Sequence, residues 1–307
     1  MFLAGFAKQK INHGEGCTLG GYWGNGKCSG IHDNLYCKVT CIASESTSAG
    51  VSAVEQGHRP LVIVSFDLIG ISAEFARKCQ YHAAEAVNDF LGIAPATTDL
   101  SGIVVACTHT HTGPQTNEYF IGMGHASEQY MDSLLNAVLV TTRAALETRK
   151  KCRLRHVKTD EINDVAVNRR QRQPSVASVN EEVLDKLMWF EKSGQTKLGQ
   201  RFDGPKVPYA EALVFEDAIQ PLSIHGIIVC YAMHPTCNGM KTLESSDYCG
   251  FVCQYLEKQW HTNPMSMYLN GCCGDVNPIK HRSGYHGARM TGQYLGQILH
   301  AAIHSSM

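Results

Sequence analysis

Two histidines one residue apart, His109 and His111, follow directly on an apolar, β-rich run, Gly102-Ile103-Val104-Val105-Ala106-Cys107. In an extended chain, residues two apart point the same way. Both imidazoles can therefore face one ion, or one can ligate while the other donates a hydrogen bond or shuttles a proton. Imidazole nitrogen is a good zinc ligand. A single histidine at a strand end is ordinarily a satisfied polar residue, but an HxH pair between an apolar run and Gly113-Pro114 reads as functional. His234 stands alone, yet it too ends an apolar run, 226–232, and precedes a proline that stops it. A third run, 266–270, leads into Gly271-Cys272-Cys273-Gly274-Asp275-Val276-Asn277-Pro278, and a fourth, 61–66, into Asp67. Ligands in α/β sheets bind outside the carboxyl ends of strands, so these four polar clusters are candidates for one pocket. The carboxylates carry two equally weighted readings. Asp275 can bond the N–H groups of its own turn, and Asp247 can complement a helix N-terminus. Asp67 and the pair His32-Asp33 can orient ligating histidines.

The elements that must position these residues are legible as patterns. Continuous apolar runs at 61–66, 102–107 and 226–232 predict strands covered on both faces. Apolar residues at helical spacing predict helices over 72–91, 127–149, 246–260 and 286–303, with Ser245 or Ser246 capping the third. Shorter strands are expected at 153–158, 186–191 and 211–216, around a turn at Ser193-Gly194-Gln195, and the apolar start Met1–Ala7 reads as a first strand. The sum is a single α/β domain, a mixed β-sheet flanked by helices on both faces. Residues 13–34 hold seven glycines, at 14, 16, 20, 21, 24, 26 and 30, and predict a long loop near a ligand. Ser44–Gly57 is expected to be a second loop.

Composition narrows the class. Apolar residues make up 44% and charged residues 18%, enough for a sizeable core and against general disorder. With 27 basic and 28 acidic residues there is no excess to attract a nucleic acid. No stretch is long and apolar enough to span a bilayer, and no secretion signal is seen, so a cytoplasmic location is expected. The 13 cysteines form no disulfide framework and suit a reducing compartment. Cys37 and Cys41, with Cys17 and Cys28 upstream, raise the idea of a metal cluster, but Cys37, Val39 and Cys41 alternate like one buried strand face.

Taken together, these residues resemble one family. Thr108-His109-Thr110-His111-Thr112-Gly113-Pro114 is similar to the THTHSGP stretch of the neutral/alkaline non-lysosomal ceramidases. Asn168-Arg169 resembles that family's NR(S), His234-Pro235-Thr236 with Ser245–Gly250 its HPT…SADYPG, and Gly274–Pro278 its GDVSP. Gly30–Tyr36 also looks like the family's N-terminal part. The order and rough spacing agree over most of the chain. The resemblance implies a zinc-dependent amidohydrolase that uses a metal-activated water to cut an N-acyl amide, ceramide or a related acylated substrate. It implies His109 and His234 as zinc ligands, and His111 as substrate contact or proton shuttle. Arg169 would bind substrate or the developing oxyanion, with Asp275 catalytic beside it and Gly274 and Asn277 contacting substrate. Two departures stand out. Asn277 replaces the family's serine and cannot act as a nucleophile. The family's glutamate and tyrosine ligands and its C-terminal β-sandwich have no counterpart in residues 1–307, so either Asp67, Asp247, Asp275 or another local carboxylate substitutes, or the chain is shortened and binds metal poorly. Two alternatives remain: an inactive binding or regulatory relative, and a binuclear hydrolase using His32, Asp33 and Asp67 with the HxH pair.

Overall fold

The computed structural model describes residues 1–307 apart from 23, 25, 45–58, 94–98, 118–123, 173–195 and 221. The expected strand 186–191, the turn at 193–195 and nearly all of the expected loop Ser44–Gly57 lie outside the described residues.

In chain order the elements are β1 (Phe2–Lys10), β2 (Gly30–Ile31), β3 (Tyr36–Ser44), β4 (Leu61–Phe66), α1 (Ala73–Leu91), β5 (Ile103–Cys107), α2 (Glu128–Glu147), β6 (Lys150–Lys158), β7 (Ala166–Arg172), β8 (Thr196–Arg201), β9 (Glu211–Asp217), β10 (Ile224–Tyr231), β11 (Leu243–Glu244), α3 (Asp247–Glu257), β12 (Met265–Asn270), β13 (Val276–Pro278) and α4 (Gly284–Ser305). The main sheet has eight strands in the order β12-β10-β9-β6-β1-β3-β4-β5. Its middle is antiparallel, and each end is a parallel pair, β10 with β12 and β4 with β5. The expected mixed α/β architecture is what forms.

One helix pair covers each half of this sheet. Under α1 and α2 lie Cys37, Val39 and Cys41 of β3 with Val62, Val64 and Phe66 of β4. Helix α1 starts where Ser72 accepts a hydrogen bond from the Phe75 N–H, and it stops at Gly92, whose φ of 67° a side chain would strain. Under α3 and α4 lie Val214, Ile227, Val229, Tyr231 and Tyr268. These two helices approach closely because α4 turns glycines toward α3. A Cβ on Gly292 would stand 2.5 Å from the Phe251 Cβ, and one on Gly296 2.8 Å from Tyr255.

The remaining face of the sheet packs on itself. Ala4, Phe6, Cys152, Phe215, Ile228 and Met267 form one buried cluster drawn from both halves. The Ser65 hydroxyl of β4 donates to the Tyr268 carbonyl of β12 at 3.0 Å, and Thr40 of β3 reaches the Met267 sulfur at 4.0 Å. This fold-over explains a departure from the sequence reading of β3. Its alternate residues Lys38 and Thr40 are as buried as Cys37 and Cys41, because a second layer of strand covers them. Strand β5, by contrast, is an edge strand, and Val104 is half exposed rather than covered on both faces.

The fold-over depends on an absent side chain. A Cβ on Gly226 of β10 would lie 2.4 Å from the Phe6 ring. Gly226→Ala is expected to cost about 1–3 kcal/mol through overpacking. The check is a lowered Tm for Gly226→Ala, with partial recovery in the Gly226→Ala/Phe6→Leu double variant.

Candidate metal centre

The fold-over places the carboxyl ends of β5 and β12 side by side, and the Asn270 amide donates to the Thr108 carbonyl across the junction at 3.1 Å. Residues after β5 do not stay extended. His109 takes a left-handed φ of 69° and the chain turns at His111. The alternation read from sequence survives in burial nonetheless. Thr108, Thr110 and Thr112 are buried, while the two histidines between them face the site. The threonines fasten this turn to the approach of α3: both Thr110 and Thr112 hydroxyls donate to the Ser245 carbonyl, at 2.8 and 2.9 Å.

His109, His111 and His234 meet. The Nε2 atoms of His109 and His234 are 3.2 Å apart, and those of His234 and His111 are 3.1 Å apart. The three ligand nitrogens all lie within 4.8 Å of one another. Two of the rings have their tautomer fixed from behind. The His109 Nδ1–H donates to the Ile69 carbonyl at 2.6 Å, and the His234 Nδ1–H to the Cys273 carbonyl at 3.1 Å. A carbonyl can only accept, so each Nδ1 carries the proton and each Nε2 presents a lone pair. Lone pairs 3.2 Å apart repel unless a positive charge lies between them. A proton fills that role poorly here. Burial, then His109 and Arg169, push His234 down to about 4. Burial also lowers His109, and burial with the two neighbouring imidazoles lowers His111 well below the usual histidine range. Three neutral imidazoles converging on one point form a donor set that fits a zinc-sized ion. Nitrogens bound at ~2.0–2.1 Å to one tetrahedral ion stand roughly 3.3 Å apart.

The third donor atom brought to this point is the His111 Nε2 rather than a carboxylate oxygen. The expected carboxylate substitutes are engaged elsewhere. Asp67 accepts from the Tyr36 N–H at 3.0 Å, and burial raises its pKa despite Lys38 nearby. Asp247 accepts from the N–H groups of Asn238 and Tyr248, and burial pushes it up to about 6. Asp275 accepts from the Asn168 amide at 3.0 Å. Asp33 accepts from both the N–H and hydroxyl of Ser246, so Ser246 occupies the α3 N-cap without capping it by its side chain. His32 bonds Asp33 at 2.8 Å. Among the described residues, none of His32, Asp33 and Asp67 joins the histidine cluster. Backbone carbonyls, rather than these carboxylates, orient the histidines.

Arg169 arrives from the small sheet β13-β7-β8. The register slips between Asn168 and Arg170, and such a bulge re-aims a side chain. The Arg169 N–H donates to the Asp275 carbonyl at 2.7 Å, and its Nε–H donates to the Gly274 carbonyl at 2.9 Å. Its positive charge is felt by all three histidines. Gly274 is exposed, with open space where a Cβ would stand. Asn277 lies in β13 next to Val276, whose carbonyl accepts from the His234 N–H, and the buried Asn277 Oδ1 has no hydrogen-bond partner among the described residues.

Three features went unread in the sequence. Gly21 and Tyr22 roof the site: a Cβ on Gly21 would meet His111 at 2.6 Å, and the Tyr22 ring centroid is 5.0 Å from that of His111. Arg282 lies over Tyr22 at 5.7 Å. His281 bonds the Thr236 hydroxyl at 2.9 Å, two residues beyond His234. The glycine-rich loop hinted at the first of these; nothing local signalled the other two.

No family model matches the sequence, and no curated protein matches it. Solved structures do. Neutral ceramidase from Pseudomonas aeruginosa superposes with a TM-score of 0.68 at 20% identity, covering 99% of this chain and 44% of that one. A ceramidase complexed with C2 gives 0.67 at 18% identity, covering 99% and 43%. The fold is neutral-ceramidase-like. The chain spans less than half the length of these matched structures. Within the ceramidase-like fold, the stretches that carried the sequence resemblance are neighbours. The 108–114 turn is bonded to Ser245, His234 to Cys273 and Val276, and Asn168-Arg169 to Gly274-Asp275.

The histidine pKa directions give a sign for pH dependence. In the unfolded chain each histidine takes up a proton below ~6.5, whereas folded His234 resists until about 4. The unfolded state binds more protons in that window, so stability falls as pH drops through it. In chelator-treated protein the loss attributable to His234 is expected to be on the order of 3 kcal/mol by pH 4. Urea unfolding of wild type and His234→Gln across this range checks it, the variant showing the shallower decline.

Proposed function

We propose that this chain is a zinc-dependent amidohydrolase acting on an N-acyl amide, a ceramide-like lipid or a related acylated substrate. The observation that carries the reading is the convergence of three imidazole nitrogens, two of them held with the lone pair on Nε2, with His109, His111 and His234 as the proposed ligands. When bound, zinc supplies Lewis acidity, polarising an acyl carbonyl and lowering the pKa of water. The likeness to ceramidase structures supports the amide-hydrolysing class. Among the described residues, no helix is long and apolar enough to cross a membrane.

The chain's own groups have separable tasks. Ile69 and Cys273, through their carbonyls, hold two imidazoles in the ligating tautomer. Arg169 is anchored through its Nε to Gly274, which leaves its terminal N–H groups to stabilise negative charge developing on an acyl oxygen. Asp275, tied to Asn168, fixes the loop from which Gly274 holds Arg169, and so acts as a positioning residue. Asn277 offers an amide to a substrate hydroxyl. His111 takes the role of third ligand in place of proton shuttle.

Elemental analysis is the direct test. Wild type is expected to hold about one zinc per chain, His109→Ala/His234→Ala none, and His111→Ala to bind at least ~10-fold more weakly. Arg169→Met should retain zinc but lose at least ~100-fold in kcat/KM on a fluorogenic N-acyl amide. No metal after reconstitution would sink the hydrolase reading. Zinc without turnover on any acyl amide would leave a metal-binding regulatory relative as the better account.

A further inference from the structure

The glycine-rich segment that roofs the site is closed at its base by two cysteines. Residues 16–18 and 27–28 pair as the base of a hairpin: the Cys28 N–H donates to the Cys17 carbonyl at 2.7 Å, the Gly16 N–H to the Cys28 carbonyl at 2.8 Å, and Thr18 bridges Lys27. Cys17 and Cys28 thus face each other across the pair, and their sulfurs lie within 4.8 Å of one another. With Leu19 they form a small cluster of their own, both buried. Glu244 stands beside them, but its oxygens are taken. They accept from the Asn12 amide at 2.6 Å, the His13 and Gly14 N–H groups at 3.1 and 2.7 Å, and Cys17 at 3.5 Å. A carboxylate saturated by these donors is a poor metal ligand, so the pair is better suited to bonding to itself.

We propose that Cys17 and Cys28 are a disulfide-forming pair that pins the hairpin over His111. The chemistry is thiol–disulfide exchange with a low-molecular-weight disulfide such as oxidised glutathione. One cysteine, as thiolate, attacks the glutathione disulfide, forming a mixed disulfide and releasing one glutathione. The second cysteine then attacks the protein sulfur of that mixed disulfide, the Cys17–Cys28 bond forms and a second glutathione leaves. The two protein thiols each give up a proton and an electron, and one glutathione disulfide is reduced to two glutathione thiols. Burial first, then Cys28 and Glu244, hold Cys17 in the thiol form, so the exchange proceeds through opening of the hairpin. Gly14, Gly16, Gly24 and Gly26 have no atom where a Cβ would stand, so this edge of the molecule is loosely enclosed.

The bond matters because of what the hairpin touches. Its edge pairs with the histidine turn: the Gly20 N–H donates to the Gly113 carbonyl at 2.9 Å, and the Gln115 N–H to the Thr18 carbonyl at 2.8 Å. Gly21 and Tyr22 then lie on His111. Closing the base removes the opening motion that would lift them. The proposal does not rest on the zinc reading, since both thiols and the hairpin are independent of any ion.

The test equilibrates the intact protein with reduced and oxidised glutathione, then blocks free thiols and digests with trypsin. Cleavage after Lys10, Lys27 and Lys38 separates a 11–27 peptide holding Cys17 from a 28–38 peptide holding Cys28 and Cys37. The expected product is these two peptides joined, two hydrogens lighter than their sum, with fragmentation placing the bond on Cys28. Cys28→Ser and, separately, Cys17→Ser should abolish it. Amide hydrogen exchange at Gly20 and Gln115 should slow at least ~10-fold in the oxidised wild type, through the loop constraint. Oxidation at other cysteines with no 11–27/28–38 product overturns the proposal. So does a joined product with unchanged exchange at these amides, or a bound metal that Cys28→Ser releases and His109→Ala does not.

Discussion

The structure depends on the packing of one sheet against itself. Phe6, Phe215, Ile228 and Met267 fill the interior of that fold-over, and the Ser65–Tyr268 hydrogen bond registers its two halves. In a flat eight-stranded sheet, β5 and β12 would be the most distant strands. Folded over, they present their carboxyl ends together, and the meeting of the three histidines follows from that. His109 and His111 come from one half, His234 and the Cys273–Asp275 loop from the other.

Much of this was legible in the sequence for a simple physical reason. Buried parallel strands read as continuous apolar runs, and their polar ends mark where the chain leaves the core. That is why 61–66, 226–232 and 266–270 and the residues after them were found with little error at their boundaries. The helices followed from apolar spacing. The fold-over itself was not legible. The alternation in β3 marked one buried face, Cys37, Val39 and Cys41, but nothing in a single strand's pattern reports that a second layer arriving more than 200 positions later buries Lys38 and Thr40 as well. The place of His111 was left open in the sequence, where both imidazoles of the pair could face one ion or only one of them could. The family likeness implied a substrate contact or proton shuttle for His111; in the structure, after the left-handed turn at His109, its Nε2 lies 3.1 Å from that of His234.

The choice of orienting groups also has a consequence. Carboxylates behind a histidine raise its basicity, whereas carbonyls fix the tautomer without adding charge. Here the nearby carboxylates hold backbone instead: Asp67 on Tyr36, Asp247 on Asn238 and Tyr248, Asp33 on Ser246. The histidine cluster is left neutral and desolvated beside the positive Arg169. With a cation on these nitrogens, such a centre would favour an anionic or strongly polarised oxygen of a substrate over a cationic substrate group.

The division of the three histidines between the halves has a mechanical meaning. The junction of β5 with β12 is a seam, stitched by side chains such as Asn270 on Thr108 rather than by a strand ladder. An ion held by all three imidazoles would be a rivet through that seam. Its binding free energy adds directly to the work of separating the halves, by RT ln(1 + [L]/Kd). Occupancy would then decide whether the two helix-covered halves melt as one unit or come apart in sequence.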